Sequence, residues 1–176
     1  MKEVTSLSNP IIKDIRALSQ KKHREETGTF KVEIRSARRV AQSIEDIGLA
    51  AANLLDVLGL FEPFGVWRLD IENGLTYWSE DMYRLHGLEP KPGPVDMIQV
   101  IRSYHPDDRE HVTGCIEDAI TRQSGFRFVL RIGTMDEVTR VVEALGRYRT
   151  NPEGRAELFG TCRAVGQRVR SVAINP

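Results

Sequence analysis

The chain has 176 residues, 40% hydrophobic and 28% charged, which is enough for one ordinary domain with an appendage and is the make-up of a water-soluble globular protein. Its formal net charge is zero but unevenly spread, since residues 1–39 hold ten Lys/Arg against five Asp/Glu. No run approaches the ~20 apolar residues of a membrane span, and the charged start lacks the apolar stretch of a signal peptide, so the expectation is a cytoplasmic protein with no membrane partner.

Residues 1–35 read as a basic helix–strand appendage. Asn9-Pro10 is an N-cap followed by proline at the first helical position, where its missing N–H costs nothing. Ile11, Ile15 and Leu18 give that helix an apolar face, and Lys21, Lys22, His23 and Arg24 form a basic run near its end. Thr27-Gly28 breaks it, and Thr29–Glu33 alternates like a short strand.

Residues 36–60 predict a long helix. Ala37, Val40, Ile44, Ile47, Ala51, Leu54 and Leu58 recur at alternating steps of three and four, a heptad seam with polar residues between. Such a seam either lies on its own domain or pairs two chains. Pairing is the expectation, giving a homodimer through Val40, Ile44, Ile47, Ala51, Leu54 and Leu58. An interior glycine, Gly48, weakens either helix by about 1 kcal/mol relative to alanine.

Residues 61–170 predict a mixed α/β domain, with 171–176 as a tail. Strands flank Asn73-Gly74, the strongest short hairpin signal. Ser79 caps a helix that ends at Gly87. Val95–Ser103 reads as a short apolar helix, and Tyr104–Asp108 as a turn whose aspartates cap the helix carrying Val112, Ile116 and Ala119. After Gly125 the period changes to two, through Phe126, Phe128, Leu130 and Ile132. Val138–Arg149 and Glu157–Val165 are further strands around the turn NPEGR. The predicted order is two strands, three helices, three strands. Cys115 and Cys162 are far apart with no CxxC and no histidine at ligand spacing, so they predict small buried residues and neither a disulfide nor a zinc site.

Two stretches resemble known families. Val4–Glu33, VTSLSNPIIKDIRALSQKKHREETGTFKVE, resembles the opening of the substrate-binding domain of SpoU-type RNA 2′-O-ribose methyltransferases. The chain lacks that family's knotted catalytic domain, so the resemblance implies no methyl transfer, while RNA contact through Lys13, Arg16, Lys21, Lys22 and Arg24 stays open as an alternative function. Phe64–Gln167 resembles a PAS domain of the third subclass, on GVWRLDIENGLTYWSEDMYRLHGL, HPDDREHV, GFRFVLRI and GRAELFGTCRAV. It departs at Met135–Tyr148, where that family has a tryptophan-bearing strand. The PAS resemblance implies an α+β fold, a curved five-stranded antiparallel sheet with helices over one face. It also implies a non-enzymatic sensory and protein-interaction module in signal transduction, commonly dimeric through a helix just before the first strand.

Histidines and cysteines invite cofactor readings that the spacing disfavours. His105 belongs to the His-Pro-Asp-Asp turn and reads as a cap or hydrogen-bonding residue. His111 sits one position off the H-x-G pattern of haem-binding relatives, which turns it about 100° away on the helix. Cys115 lies outside the helix that carries the reactive cysteine of flavin-binding relatives. Haem and flavin are therefore both disfavoured, and the cofactor stays unassigned. His86 is expected to pack at its helix end, and His23 belongs to the basic run. Asp107, Asp108 and Glu110 are explained by capping and the helix dipole. For a cavity under the sheet, the candidate wall residues are Trp67, Tyr77, Tyr83, Phe126, Phe128 and Leu130, with plain core the competing reading. A signalling protein partner is expected, and DNA is not.

Overall fold

The computed structural model describes Ile44, residues 47–133 and residues 139–166. Strands β1 (Phe64–Asp70), β2 (Leu75–Trp78), β3 (Val95–Asp96), β4 (Gly125–Gly133), β5 (Thr139–Thr150) and β6 (Ala156–Ala164) form one sheet in the order β3-β2-β1-β6-β5-β4. Every pairing is antiparallel. Helices α2 (Glu80–Leu85), α3 (Met97–Ser103) and α4 (Arg109–Thr121) supply core residues, and α1 (Ala51–Leu58) precedes the sheet. The α+β class and the five expected strands are present. A sixth, β3, is added where Val95 and Asp96 pair with Thr76 and Leu75 before the chain turns into α3.

Local chemistry sets these boundaries. The Asp96 carboxylate accepts from the Ile98 N–H at 2.9 Å, ending β3 and opening α3 in one residue. The hairpin after β1 is a four-residue turn, not a two-residue Asn-Gly turn. The Asp70 carboxylate accepts from the N–H groups of Glu72 and Asn73, and only Gly74, at φ +66°, takes a positive φ. The region Met135–Tyr148 resolves in favour of a strand from Thr139 onward, and β5 reaches Thr150.

The Tyr104–Asp108 turn works differently from its sequence reading. His105 N-caps a single 3₁₀ turn, its Nδ1 accepting from the Asp107 N–H at 3.3 Å. Asp108 makes no side-chain cap to α4. Its carboxylate instead takes the Arg131 backbone N–H at 2.9 Å and the Arg131 guanidinium at 2.8 and 3.0 Å, tying the start of α4 to β4. A bidentate arginine outbids a cap because both partners are charged.

A correction concerns the heptad helix. Within the described residues it does not run unbroken: Ile47 closes a single turn onto Ile44, Gly48 sits at φ +71°, and Ala50 is extended. The helix restarts at Ala51, where the Asn53 side chain reaches back to accept the Ala50 N–H at 3.1 Å. Of the pairing candidates, Val40 lies outside the described residues. Ile44 and Ile47 precede the break, while Ala51, Leu54 and Leu58 follow it. No α1 side chain is buried, and Ile47 and Val57 are each 69% exposed.

The core lies between the sheet and α2–α4. Leu85, Ile101, Ile132 and Leu158 are fully buried, each contributing about 1.5–3 kcal/mol from the apolar surface removed from water.

Candidate functional site

Strand parity decides which side chains reach the interior. Trp67 and Leu69 on β1 face the helices, and the register carries that face to Trp78 on β2 and to Leu158 and Gly160 on β6. On β5 and β4 it reaches Gly146, Phe126, Phe128 and Leu130. Gly146 lies directly opposite Gly160, and a Cβ on either would strike the Trp67 ring. A Cβ at 146 would also strike Phe126, and one at 160 would overlap the Leu145 carbonyl. The bare backbone thus makes a trough for two rings. Trp67 stacks on Phe126 with centroids 6.1 Å apart, and its indole N–H donates to the Thr161 carbonyl at 3.3 Å.

From Phe126 an unbroken series of rings crosses the interior. Phe126 stacks on Phe128 at 5.6 Å, and Phe128 meets Tyr104 edge-on at 5.7 Å. Tyr104 meets His86 at 6.2 Å, His86 lies against Trp78 at 4.4 Å, and Trp78 meets Tyr83 at 5.2 Å. The Tyr83 hydroxyl donates to the Lys91 carbonyl at 3.1 Å, fixing the loop after α2.

His86 is the polar centre of this series. It follows α2 and is 2% exposed, with Nδ1 2.8 Å from the Met82 carbonyl. A carbonyl only accepts, so Nδ1 carries the proton and Nε2 presents a bare lone pair. Burial lowers the imidazole pKa to about 4; the Met82 bond opposes this and the Arg140 charge adds to it. The ring is therefore neutral near pH 7. Among the described residues, His86 Nε2 and the Trp78 indole N–H are buried polar atoms without a hydrogen-bond partner, one acceptor and one donor on adjoining rings. Each such group costs roughly 1–3 kcal/mol if left dry.

The neighbouring titratable groups are also held uncharged. Burial raises the Tyr104 phenol well above its usual range, helped by Cys162, and pushes the Cys162 thiol up to about 12. Burial likewise raises Cys115. A protonated thiol is a poor nucleophile. Among the described residues no group of His, Cys, Asp and Glu is arranged to hold a metal ion. A group that offered a donor to His86 Nε2 and an acceptor to the Trp78 N–H would satisfy both atoms.

Five of the six wall candidates, Trp67, Tyr83, Phe126, Phe128 and Leu130, belong to this interior. Tyr77 does not. It pairs with Arg68 on the opposite face, 38% exposed, with the guanidinium 4.2 Å above its ring. Sequence reasoning left out Trp78, Tyr104 and His86. Trp78 follows from parity once Trp67 is placed inward, because the two are register partners. His105 has its expected hydrogen-bonding role. The RNA-contact candidates Lys13, Arg16, Lys21, Lys22 and Arg24 lie outside the described residues.

Residues 75–162, half of the chain, match the family described as PAS fold. No curated protein matches the chain. A sensory box histidine kinase/response regulator from Burkholderia thailandensis E264 is 22% identical over 64% of this chain and 83% of that one, with a TM-score of 0.52. A domain assigned to a light and redox sensing histidine kinase from Haloarcula marismortui is 14% identical over 65% and 99%, with a TM-score of 0.52. An RNA-binding light-oxygen-voltage receptor is 18% identical over 62% of this chain and 31% of that one, also with a TM-score of 0.52. These likenesses are of fold. The methyltransferase-like stretch, residues 4–33, lies outside the matched span, and the comparisons give it no support. With β2 to β5 and most of β6 inside the matched residues and a six-stranded antiparallel sheet carrying helices, the chain belongs to the PAS fold family.

Proposed function

We propose that this chain is a non-enzymatic sensory and protein-interaction module that captures a small apolar molecule in its aromatic interior and signals through pairing of residues 40–58. The observation that carries the reading is the adjoining pair of unpartnered atoms, His86 Nε2 and Trp78 Nε1, inside a continuous aromatic wall. A route outward exists in α2. One end carries His86; at the other, the Asp81 carboxylate accepts the Phe64 N–H at 3.0 Å. A Cβ on Gly59, just after α1, would come within 3.2 Å of that same carboxylate. A ligand that displaces His86 therefore pulls on the joint between α1 and β1.

The absorbance spectrum and native mass of the purified full chain test the capture. A bound organic molecule, lost in Trp78→Phe and His86→Phe, is the expected result. A bare protein whose tryptophan emission ignores a panel of planar heterocycles would end the capture reading. Mass in solution tests pairing: wild type is expected to be a dimer and Ile47→Asp/Leu54→Asp a monomer. The alternative, RNA contact through Lys13, Arg16, Lys21, Lys22 and Arg24, predicts filter binding of structured RNA with a steep salt slope.

A further inference from the structure

Charge is unevenly divided between the faces of the sheet. Residues 64–166 hold thirteen Lys/Arg against sixteen Asp/Glu. Yet the water-facing positions of β1, β6, β5 and β4 carry six arginines (Arg68, Arg127, Arg131, Arg147, Arg149, Arg163) against three carboxylates, Asp70, Glu143 and Glu157. A region that is acidic in sum therefore turns one basic face to solvent.

Two of these arginines lie flat on rings. One row of the sheet runs Tyr77, Arg68, Phe159, Arg147, from β2 through β1 and β6 to β5. The Arg68 guanidinium stands 4.2 Å above the Tyr77 ring, and that of Arg149 stands 4.4 Å above Phe159. Glu157, 2% exposed, pairs with both guanidiniums and so holds the two stacks side by side. Glu143 ties Arg127 to Arg163 in the same way. Arg147, at the end of the row, is exposed and makes no ion pair among the described residues.

The apolar side chains on this face do not form a stripe for a protein helix. Leu145 is 43% exposed, Val129 41% and Val141 38%, but each stands opposite a charged residue, Arg127, Glu143 and Arg131 in turn. The centre of a protein interface is depleted of charge, and this face is a checkerboard. Its chemistry matches a polyanion built of alternating flat and charged parts. Unpaired bases stack on aromatic rings and on guanidinium planes, and phosphates take arginine. A duplex hides its base faces, so only an unpaired strand can use the stacks.

We infer that the outer sheet face is a seat for a single-stranded polynucleotide. Bases stack on the Tyr77–Arg68 and Phe159–Arg149 pairs, and a phosphate sits on Arg147. The two rings belong to strands separated only by β1, about 10 Å apart, so one strand crossing the sheet reaches both. The seat uses none of Lys13, Arg16, Lys21, Lys22 and Arg24.

Fluorescence anisotropy of the full chain with labelled RNA and DNA oligonucleotides of about 16 nucleotides, over salt from about 50 to 200 mM, tests it. Arg147→Ala is expected to weaken binding about fivefold and to lower the salt slope by about one, because a phosphate contact is lost. Tyr77→Ala is expected to weaken binding at least fivefold with the salt slope unchanged, because stacking releases no counterion. Both side chains face water, so circular dichroism should match wild type. Tighter binding of the RNA identifies RNA as the source of the strand, and equal binding a strand of either sugar; both support the seat. Binding that ignores the two sheet variants but is lost in Lys21→Glu/Lys22→Glu overturns it in favour of the basic run. A duplex bound as tightly as the single strand overturns the stacking, and polyglutamate competing as well as the oligonucleotide points to an acidic protein instead. No binding at about 50 mM salt overturns the seat outright.

Discussion

Two buried glutamates, Glu143 on β5 and Glu157 on β6, tie neighbouring strands together across the outer face. Glu143 and Glu157 are 7% and 2% exposed although they lie on the water-facing side, because paired arginines roof them over. Burial pulls each carboxyl upward in pKa, but hydrogen bonds from Arg127 and Arg163, and from Arg149 and Arg68, outweigh it and hold both below the ordinary range. Glu157→Gln keeps the shape and removes the charge. It is expected to cost about 2 kcal/mol in urea unfolding, less than a fully buried pair would because the arginines remain half in water. Glycines give a sharper contrast of sign. Gly160→Ala must push its methyl into the Leu145 carbonyl and the Trp67 ring, so a loss of about 3 kcal/mol or more is expected. Gly114→Ala, exposed in mid-α4 with nothing near its new methyl, is expected to gain about 0.5–1 kcal/mol. Thermal melts of the two variants check both signs. Neither role is visible in the sequence. Only the register places Gly146 and Gly160 face to face under an indole.

At the scale of elements, most of the order was legible from periodicity. The alternation of Phe126, Phe128, Leu130 and Ile132 gave β4 its inward face, and the stepping of Val112, Ile116 and Ala119 gave α4 its buried stripe. What escaped were features set by tertiary partners. Tyr77 stands between Thr76 and Trp78, so strand alternation puts it on the outer face once its neighbours face inward. The heptad likewise hid its own break, because hydrophobic spacing carries no information about backbone sign at Gly48. Arg140 is another such feature. It leaves β5 and donates to the Arg84 and Leu85 carbonyls at 2.8 and 2.7 Å, satisfying the end of the six-residue α2. Arg140→Ala is expected to cost about 1–2 kcal/mol, and to speed amide exchange in α2 more than in α4, which would not follow from a general loss of stability. Equal acceleration in both helices would mean that Arg140 supports the core as a whole.

Over the whole molecule the shifted groups agree in direction, and they predict the shape of its stability against pH. In the unfolded chain His86 binds a proton near pH 6.5, but in the fold only at about 4. Between those values the unfolded state holds the extra proton, so stability falls as the solution is acidified, by about 1.4 kcal/mol per pH unit and roughly 3 kcal/mol in all. Below that window the carboxyls of Asp70, Asp108, Glu143 and Glu157, all lowered in the fold, give up their contributions as pH falls through their folded values. At the alkaline end Cys162 and Tyr104 keep their protons in the fold after the unfolded chain has lost them, so stability declines again once pH passes the ordinary thiol value of 9.0. The expected profile is a plateau from about pH 6.5 to 9 with a two-stage acid limb. His86→Phe separates the stages. At pH 7.5 it exchanges one hydrogen bond for relief of an unpartnered nitrogen, so its stability stays within about 1 kcal/mol of wild type. At pH 5 the variant has been spared the first stage and should be the more stable by about 2 kcal/mol, while the lower carboxylate limb remains. Urea midpoints at the two pH values decide it, since parallel acid limbs in variant and wild type would mean that His86 takes up its proton inside the fold as readily as in water.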